Sequence, residues 1–402
     1  MLRLEKSLKK ARVVRRAASV QKHIRAASIA LMTALAAMTL AGAVSASPID
    51  KVIATIPIAN LPTALGLDPV RGTVYVTSFT GKSVSVINEQ TNAVIATIPV
   101  GNYPYVVAVD PIHWTVYVTN YIDSTVSAID ERTNTVIATI PLPVGSYPHG
   151  MALDPFRGTV YVANDLGHTV SVIDEETNTV TDTIAIPNNP NLLGVGVDPV
   201  RGLVFVTAEL NNTNYLVSVI DERTKQVTNT ITLVAANPQE VGVDPLRGTI
   251  YVAGTGIPGS NYSVKQGAVS IINERTGGVK YTIPTGKNTF GIGVDLVSGT
   301  VFATNYADGT VSVIDPVKGF ATQTITVGGD PEGIADDPIR GTVYVADGNT
   351  NLVSVISTGH PTSCKDLANY PLLPLLCATS LYNSRPGQDR PSWPWVDALD
   401  FH

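Results

Sequence analysis

At 402 residues the chain is long enough for one large repeat domain or two ordinary ones, and 44% apolar against 15% charged residues suits a folded globular protein. It is acidic, with 27 basic and 33 acidic residues. Nine of the basic residues fall in the first 25 positions, so the remainder has no basic cluster to attract a phosphate backbone, and no nucleic-acid partner is expected.

The first 46 residues do not belong to the fold. Their basic stretch is followed by an uncharged apolar run at residues 26–44, and Val44-Ser45-Ala46 puts small residues at the −3 and −1 positions of a cleavage site before Ser47. This reads as a secretory signal peptide over residues 1–46; the alternative is a retained anchor, for which a run of about 19 residues is borderline. Removing nine basic residues and one acidic residue leaves 18 and 32, a net charge near −14. The mature chain is expected to be secreted, periplasmic or at the cell surface, and not integral to a membrane once cleaved.

Residues 154–187, DPFRGTVYVANDLGHTVSVIDEETNTVTDTIAIP, are the pattern from which the next three hundred residues are built. Asp154-Pro155 and Gly158 bracket a tight turn. Residues 159–163 and 169–173 alternate in the period-2 manner of strands, and a second reversal leads to residues 180–184. A further strand precedes the Asp. The marker recurs at Asp68, Asp110, Asp154, Asp198, Asp244, Asp295 and Asp337, with Pro next in all but Asp295-Leu296. A four-stranded antiparallel unit repeated every forty-odd residues predicts a propeller blade. The last copy lacks its outer strand, whereas residues 52–56 supply one with no blade of its own. Pairing the two closes the ring and removes an exposed edge. The expected fold is therefore all-β, a seven-bladed β-propeller over residues 47–359 with four antiparallel strands per blade.

Tyr117-Val118-Thr119-Asn120, varied in the other copies, resembles the YVTN-type β-propeller repeat proteins from residue 52 to residue 356. The resemblance implies the propeller fold and a setting among surface-layer and cell-envelope proteins, periplasmic binding proteins and several propeller enzymes. It does not single out a ligand.

Most repeated residues serve geometry. Asp-Pro-x-Arg-Gly makes a type I turn with Gly in the left-handed position, and the Arg at 71, 157, 201, 247 and 340 reads as a solvated turn residue. The small residue two before each Asp, such as Gly66 or Ala108, is expected to face the propeller axis, with its large apolar neighbours between blades. Function is sought where copies disagree. Four residues before the marker the fifth copy has Glu240, and one residue before it the seventh has Asp336, where other copies are small or apolar. Connections lengthen in copies four and five, forming a wall at residues 211–215 and 257–266. The candidate ligand residues at one channel mouth are thus Glu240, Gln239, His149, Tyr105, Phe290 and Glu332.

No Cys-x-x-Cys-His, paired-His, Gly-x-Ser-x-Gly or phosphate-loop motif occurs, so no cofactor, metal or catalytic residue is assigned. His113, His149 and His168 are dispersed and read as surface or rim residues. Residues 360–402 form an extension with six Pro, two Trp and the only cysteines, Cys364 and Cys377, which are expected to pair in an oxidising compartment. The expectation is a monomeric binding or interaction module for a protein, glycan or small molecule. The alternative is a propeller enzyme, a lactonase-like hydrolase or lyase with its acids drawn from several blades.

Overall fold

The computed structural model describes residues 51–210, 214–234, 236–256 and 266–358. The expected signal segment, and the tail with Cys364, Cys377 and their expected bridge, lie outside these residues. Among the described residues no helix is long and apolar enough to cross a membrane.

The described residues form seven antiparallel sheets of four strands, as the repeat pattern predicts. In blade 1 the inner strand Pro62–Asp68 is followed outward by Thr73–Ser78, Ser83–Asn88 and Ala93–Pro99. Blade 7 takes three strands from the end of the repeats and its outer strand, Val52–Pro57, from the beginning. Val52 pairs with Ile356, Ala54 with Val355 and Ile56 with Val353.

The core is divided into wedges because both faces of each blade bury apolar residues against a neighbour. Between blades 1 and 2, for example, Val84, Val86 and Ile98 pack on Val107, Val116, Val118 and Ile129. The aromatic that opens each tetrad is buried in every blade: Tyr75, Tyr117, Tyr161, Phe205, Tyr251, Phe302 and Tyr344. The third residue ties blades together at Thr77, Thr207 and Thr304. Thr77 Oγ1 accepts the Ala64 N–H at 3.0 Å and donates to the Tyr105 carbonyl of the next blade at 3.0 Å. In Asn120 and Asn305, the fourth residue, the side-chain amide donates to Thr and Ser of the neighbouring strand.

The turn reading holds: in all seven copies the marker Asp accepts the N–H groups two and three residues on, as Asp154 does from Phe156 and Arg157. Gly stands at positive φ in six of them, and Trp114 takes that conformation in blade 2.

Two sequence expectations are corrected. The turn arginines are clasps between blades. Arg157 Nη1 meets its own Asp154, the Pro199 carbonyl of the next blade at 3.0 Å, and Glu222 of that blade at 3.0 Å. Arg71, Arg201 and Arg340 bridge a marker Asp and a Glu in the same way, and Arg247 reaches the Leu296 and Val297 carbonyls. A guanidinium has donors enough for two blades at once. The small residue two before the marker faces the next blade, not the axis. A Cβ on Gly242 would lie 2.4 Å from Ile292 Cγ2, and one on Gly66 2.9 Å from Val109 Cγ2. The missing side chain makes room for the neighbour's apolar pair.

Asp336 breaks that frame. It stands where other blades carry Val109, Val197, Val243 or Val294, and both carboxyl oxygens are buried without a hydrogen-bond partner among the described residues. Burial, then the charges of Asp295 and Asp337, push its carboxyl well above the usual range. Asp336→Val is expected to stabilise the fold by about 1–3 kcal/mol, measured as a higher urea midpoint. A lower midpoint would show that the carboxyl is held by a favourable interaction in the native state.

Candidate functional site

The inner strands converge at one mouth of the channel, and the residue five before each marker forms a ring there. In chain order these are Thr63, Tyr105, His149, Leu193, Gln239, Phe290 and Glu332, and all seven line one cavity of about 50 Å³ together with Glu240. The six residues singled out from sequence are thus brought together. Thr63 and Leu193 were missed, although the same count back from Asp68 and Asp198 reaches them.

The repeat holds this ring by its backbone. Thr77 donates to the Tyr105 carbonyl, Thr207 to that of Gln239 at 2.8 Å and Thr304 to that of Glu332 at 2.7 Å. Crowding leaves glycine after four of the seven ring positions. A Cβ on Gly150, Gly194, Gly291 or Gly333 would fall 2.0–2.6 Å from the next blade's ring carbonyl. Blade 5 carries Glu240 there, and its Oε2 accepts the Ile292 N–H of blade 6 at 2.9 Å.

Burial governs the electrostatics. It raises the Glu240 carboxyl to about 7, against the opposing hydrogen bond from Ile292. Glu332 is also raised to about 7, by burial and then by the charge of Asp330. Burial lowers His149 to about 4, so its imidazole is neutral at pH 7. Tyr105 is pushed up by burial and then by the charges of Glu332 and Glu240. Both acids titrate near neutral pH, and among the described residues no Lys or Arg lines the cavity.

Around this mouth runs an aromatic arc from blades 1 to 3. Tyr105 contacts His149 with ring centroids 4.3 Å apart and Phe79 at 5.8 Å, Phe79 contacts Tyr103 at 4.8 Å, and Tyr121 contacts Tyr147 at 5.3 Å. Tyr103 and Tyr147 sit at φ of 54° and 50°, where blades 5 and 6 use Asn237 and Asn288. Asn tolerates that conformation and a bulky residue is strained by it, so the rings are held at a backbone cost of order 1 kcal/mol. Phe290 and Tyr306 form a second, smaller pair at 6.4 Å.

The expected wall of long loops is altered. In blade 4 part of the insertion extends the sheet, Glu209 pairing with Tyr215 and Leu210 with Asn214. Residues 211–213 and 257–265 lie outside the described residues. His168 bonds through Nδ1 to the Pro190 carbonyl at 2.8 Å. His113 is drawn into a clasp with Asp110 and Glu175.

No family model matches the chain, and no curated protein matches it. Among solved structures it is similar to a chain of Kuenenia stuttgartiensis hydrazine synthase, at 20% identity and a TM-score of 0.68, over 77% of this chain and 99% of that one. A likeness of that depth carries the architecture alone, and it agrees with the strand order: the chain is a seven-bladed β-propeller.

Proposed function

We propose that this chain is an exported propeller of the YVTN-repeat type that works as a binding module, its ligand or partner seated over the channel mouth at Tyr105, His149, Gln239, Glu240, Phe290 and Glu332. The observation that carries the reading is one cavity holding two raised-pKa carboxyls beside a neutral imidazole and a tyrosine. A ring packed only for stability gains nothing from desolvating two acids. Pockets that engulf a drug-sized ligand run to roughly 300 Å³ or more, so a cavity of about 50 Å³ admits only one projecting group. The body of the ligand then rests on the arc of Phe79, Tyr103, Tyr121 and Tyr147. Two acids and aromatic faces with no lining cation favour a tip that is cationic or rich in hydrogen-bond donors.

The test is co-purification from an envelope extract with immobilised wild-type, Glu240→Gln and Tyr105→Ala chains. Gln keeps the acceptor for the Ile292 N–H but cannot ionise. For a cationic tip, retention by the wild type is expected to rise from pH 6 to 8 as Glu240 and Glu332 ionise. Glu240→Gln should lose most of that rise and Tyr105→Ala should lose retention itself. Material held equally by all three would end the reading. The enzyme alternative draws on the same acids, since a carboxyl raised to about 7 suits general acid–base catalysis. Lactone hydrolysis by the wild type that Glu240→Gln abolishes would favour it.

A further inference from the structure

At four blade interfaces the cation between the marker Asp and the next blade's Glu is a guanidinium, from Arg71, Arg157, Arg201 or Arg340. Between blades 2 and 3 it is His113. Its Nδ1 lies 2.7 Å from Asp110 Oδ2 and 3.2 Å from Glu175 Oε2. The Asp110 and Glu175 side chains are only 0% and 4% exposed, and Glu175 Oε1 is buried with no hydrogen-bond partner. An imidazole therefore meets two desolvated carboxyls where the sister interfaces supply a permanent charge and several donors.

Backbone hydrogen bonds hold the Asp110 carboxyl and the Glu175 main chain in place. Asp110 Oδ1 accepts the Ile112 and His113 N–H groups at 2.7 and 3.0 Å, leaving Oδ2 for the interface. Glu175 follows the third strand of blade 3, and its N–H bonds the Gly158 carbonyl at 3.0 Å. One nitrogen and two carboxylate oxygens, all within 4.8 Å of one another, make the one such ligand group found among the described residues. Bonds of roughly 2.0–2.1 Å in tetrahedral geometry need ligand atoms about 3.3 Å apart, so the His113–Glu175 spacing of 3.2 Å already suits an ion and the His113–Asp110 spacing of 2.7 Å would have to open. The imidazole is 43% exposed, which leaves a side open for a fourth ligand from water. Trp114, the next residue, stands at φ 60° with the Arg71 and Arg132 guanidinia 4.9 and 5.2 Å from its ring.

We propose that Asp110, His113 and Glu175 bind a divalent transition-metal ion, Zn²⁺ first, which clasps blades 2 and 3 as a guanidinium clasps the others. The neutral nitrogen and the carboxylates form a borderline donor set suited to that ion. Binding displaces the proton between Nδ1 and the carboxyls.

The experiment titrates Zn²⁺ into the chelator-treated mature chain by calorimetry, with Co²⁺ followed through its visible spectrum and quenching of Trp114. About one equivalent should bind, the melting temperature should rise, and Glu175→Gln should weaken binding by roughly tenfold or more. His113→Arg recreates the sister clasp, so it should fold with an unchanged circular dichroism spectrum and melt no lower than the metal-free chain, yet bind no stoichiometric Zn²⁺. No binding by the wild type, or equal binding by His113→Arg and Glu175→Gln, overturns the proposal.

Discussion

A chain lacking Val52–Pro57 is expected to lose cooperative unfolding and to aggregate. This strand supplies the outer edge of blade 7 through five register pairs with Leu352–Ser357. Ile56, and Ile58 just beyond it, are 2% and 3% exposed within the wedge between blades 7 and 1. Burying Ile56 is worth about 1.5–3 kcal/mol, and each ladder hydrogen bond adds roughly 0.5–1.5 kcal/mol net. Their total approaches the entire stability of an ordinary domain, about 5–15 kcal/mol. The deletion also bares the apolar third strand of blade 7, with Val353 and Val355 buried in the intact ring, as a template for another chain. Urea denaturation followed by circular dichroism should give a broad transition, and size exclusion should give species larger than the monomer. The single change Ile56→Ala should cost about 2–5 kcal/mol while keeping cooperativity. An unchanged midpoint and slope in the deletion would mean that the ring holds without its closing strand.

That closure was legible because a missing strand at one end and a surplus strand at the other are countable, and period-2 alternation is unambiguous in sequences such as Val-Ser-Val-Ile. The mouth was legible for a related reason. With the backbone repeated, any fixed offset from the Asp marker maps to one ring around the axis, so Tyr105, His149, Gln239, Phe290 and Glu332 had to meet. What the sequence hid is what depends on side-chain reach across blades. Arg157 and Glu222 are separated by more than one repeat, and both sit in turn patterns that read as solvated. Their pairing follows only when the twist between adjacent sheets is known. The same holds for His113 and Glu175, and for the small residues whose role depends on which way the inner strand faces. Tyr103 and Tyr147 escaped notice because positive φ in a tyrosine has no sequence signature.

The clasps also make the fold labile to alkali. Glu131 meets Asp68 and Arg71 in a buried setting, and burial, then the Asp68 charge, raises it to about 9 despite the guanidinium. Glu89, Glu175, Glu222 and Glu274 move in the same direction, each chiefly through burial, in the corresponding place. One guanidinium, or one imidazole, cannot neutralise two desolvated carboxyls, so a proton is retained between them. With each folded pKa above the unfolded value near 4.5, the native state binds more protons than the unfolded chain. The stability these groups contribute is complete below about pH 4.5 and is lost as pH rises through their folded pKa. His113, raised to about 10 by its hydrogen bonds to Asp110 and Glu175, acts in the same sense above pH 6.5. His149, lowered to about 4, opposes only between pH 4 and 6.5; above that Glu240 and Glu332, raised to about 7, add to the fall, so the clasp share is read from the difference between the wild type and Glu131→Gln. Each extra proton bound by the native state lowers stability by about 1.4 kcal/mol per pH unit, so even one is worth about 3 kcal/mol from pH 6.5 to 9. The urea midpoint of the wild type should therefore fall steadily from pH 6.5 to 9. Glu131→Gln, which keeps the shape and hydrogen bonding of the protonated acid but cannot ionise, should give a shallower fall. A midpoint that is flat or rising over this range, or a Glu131→Gln slope equal to that of the wild type, would show that the clasps carry no shared proton.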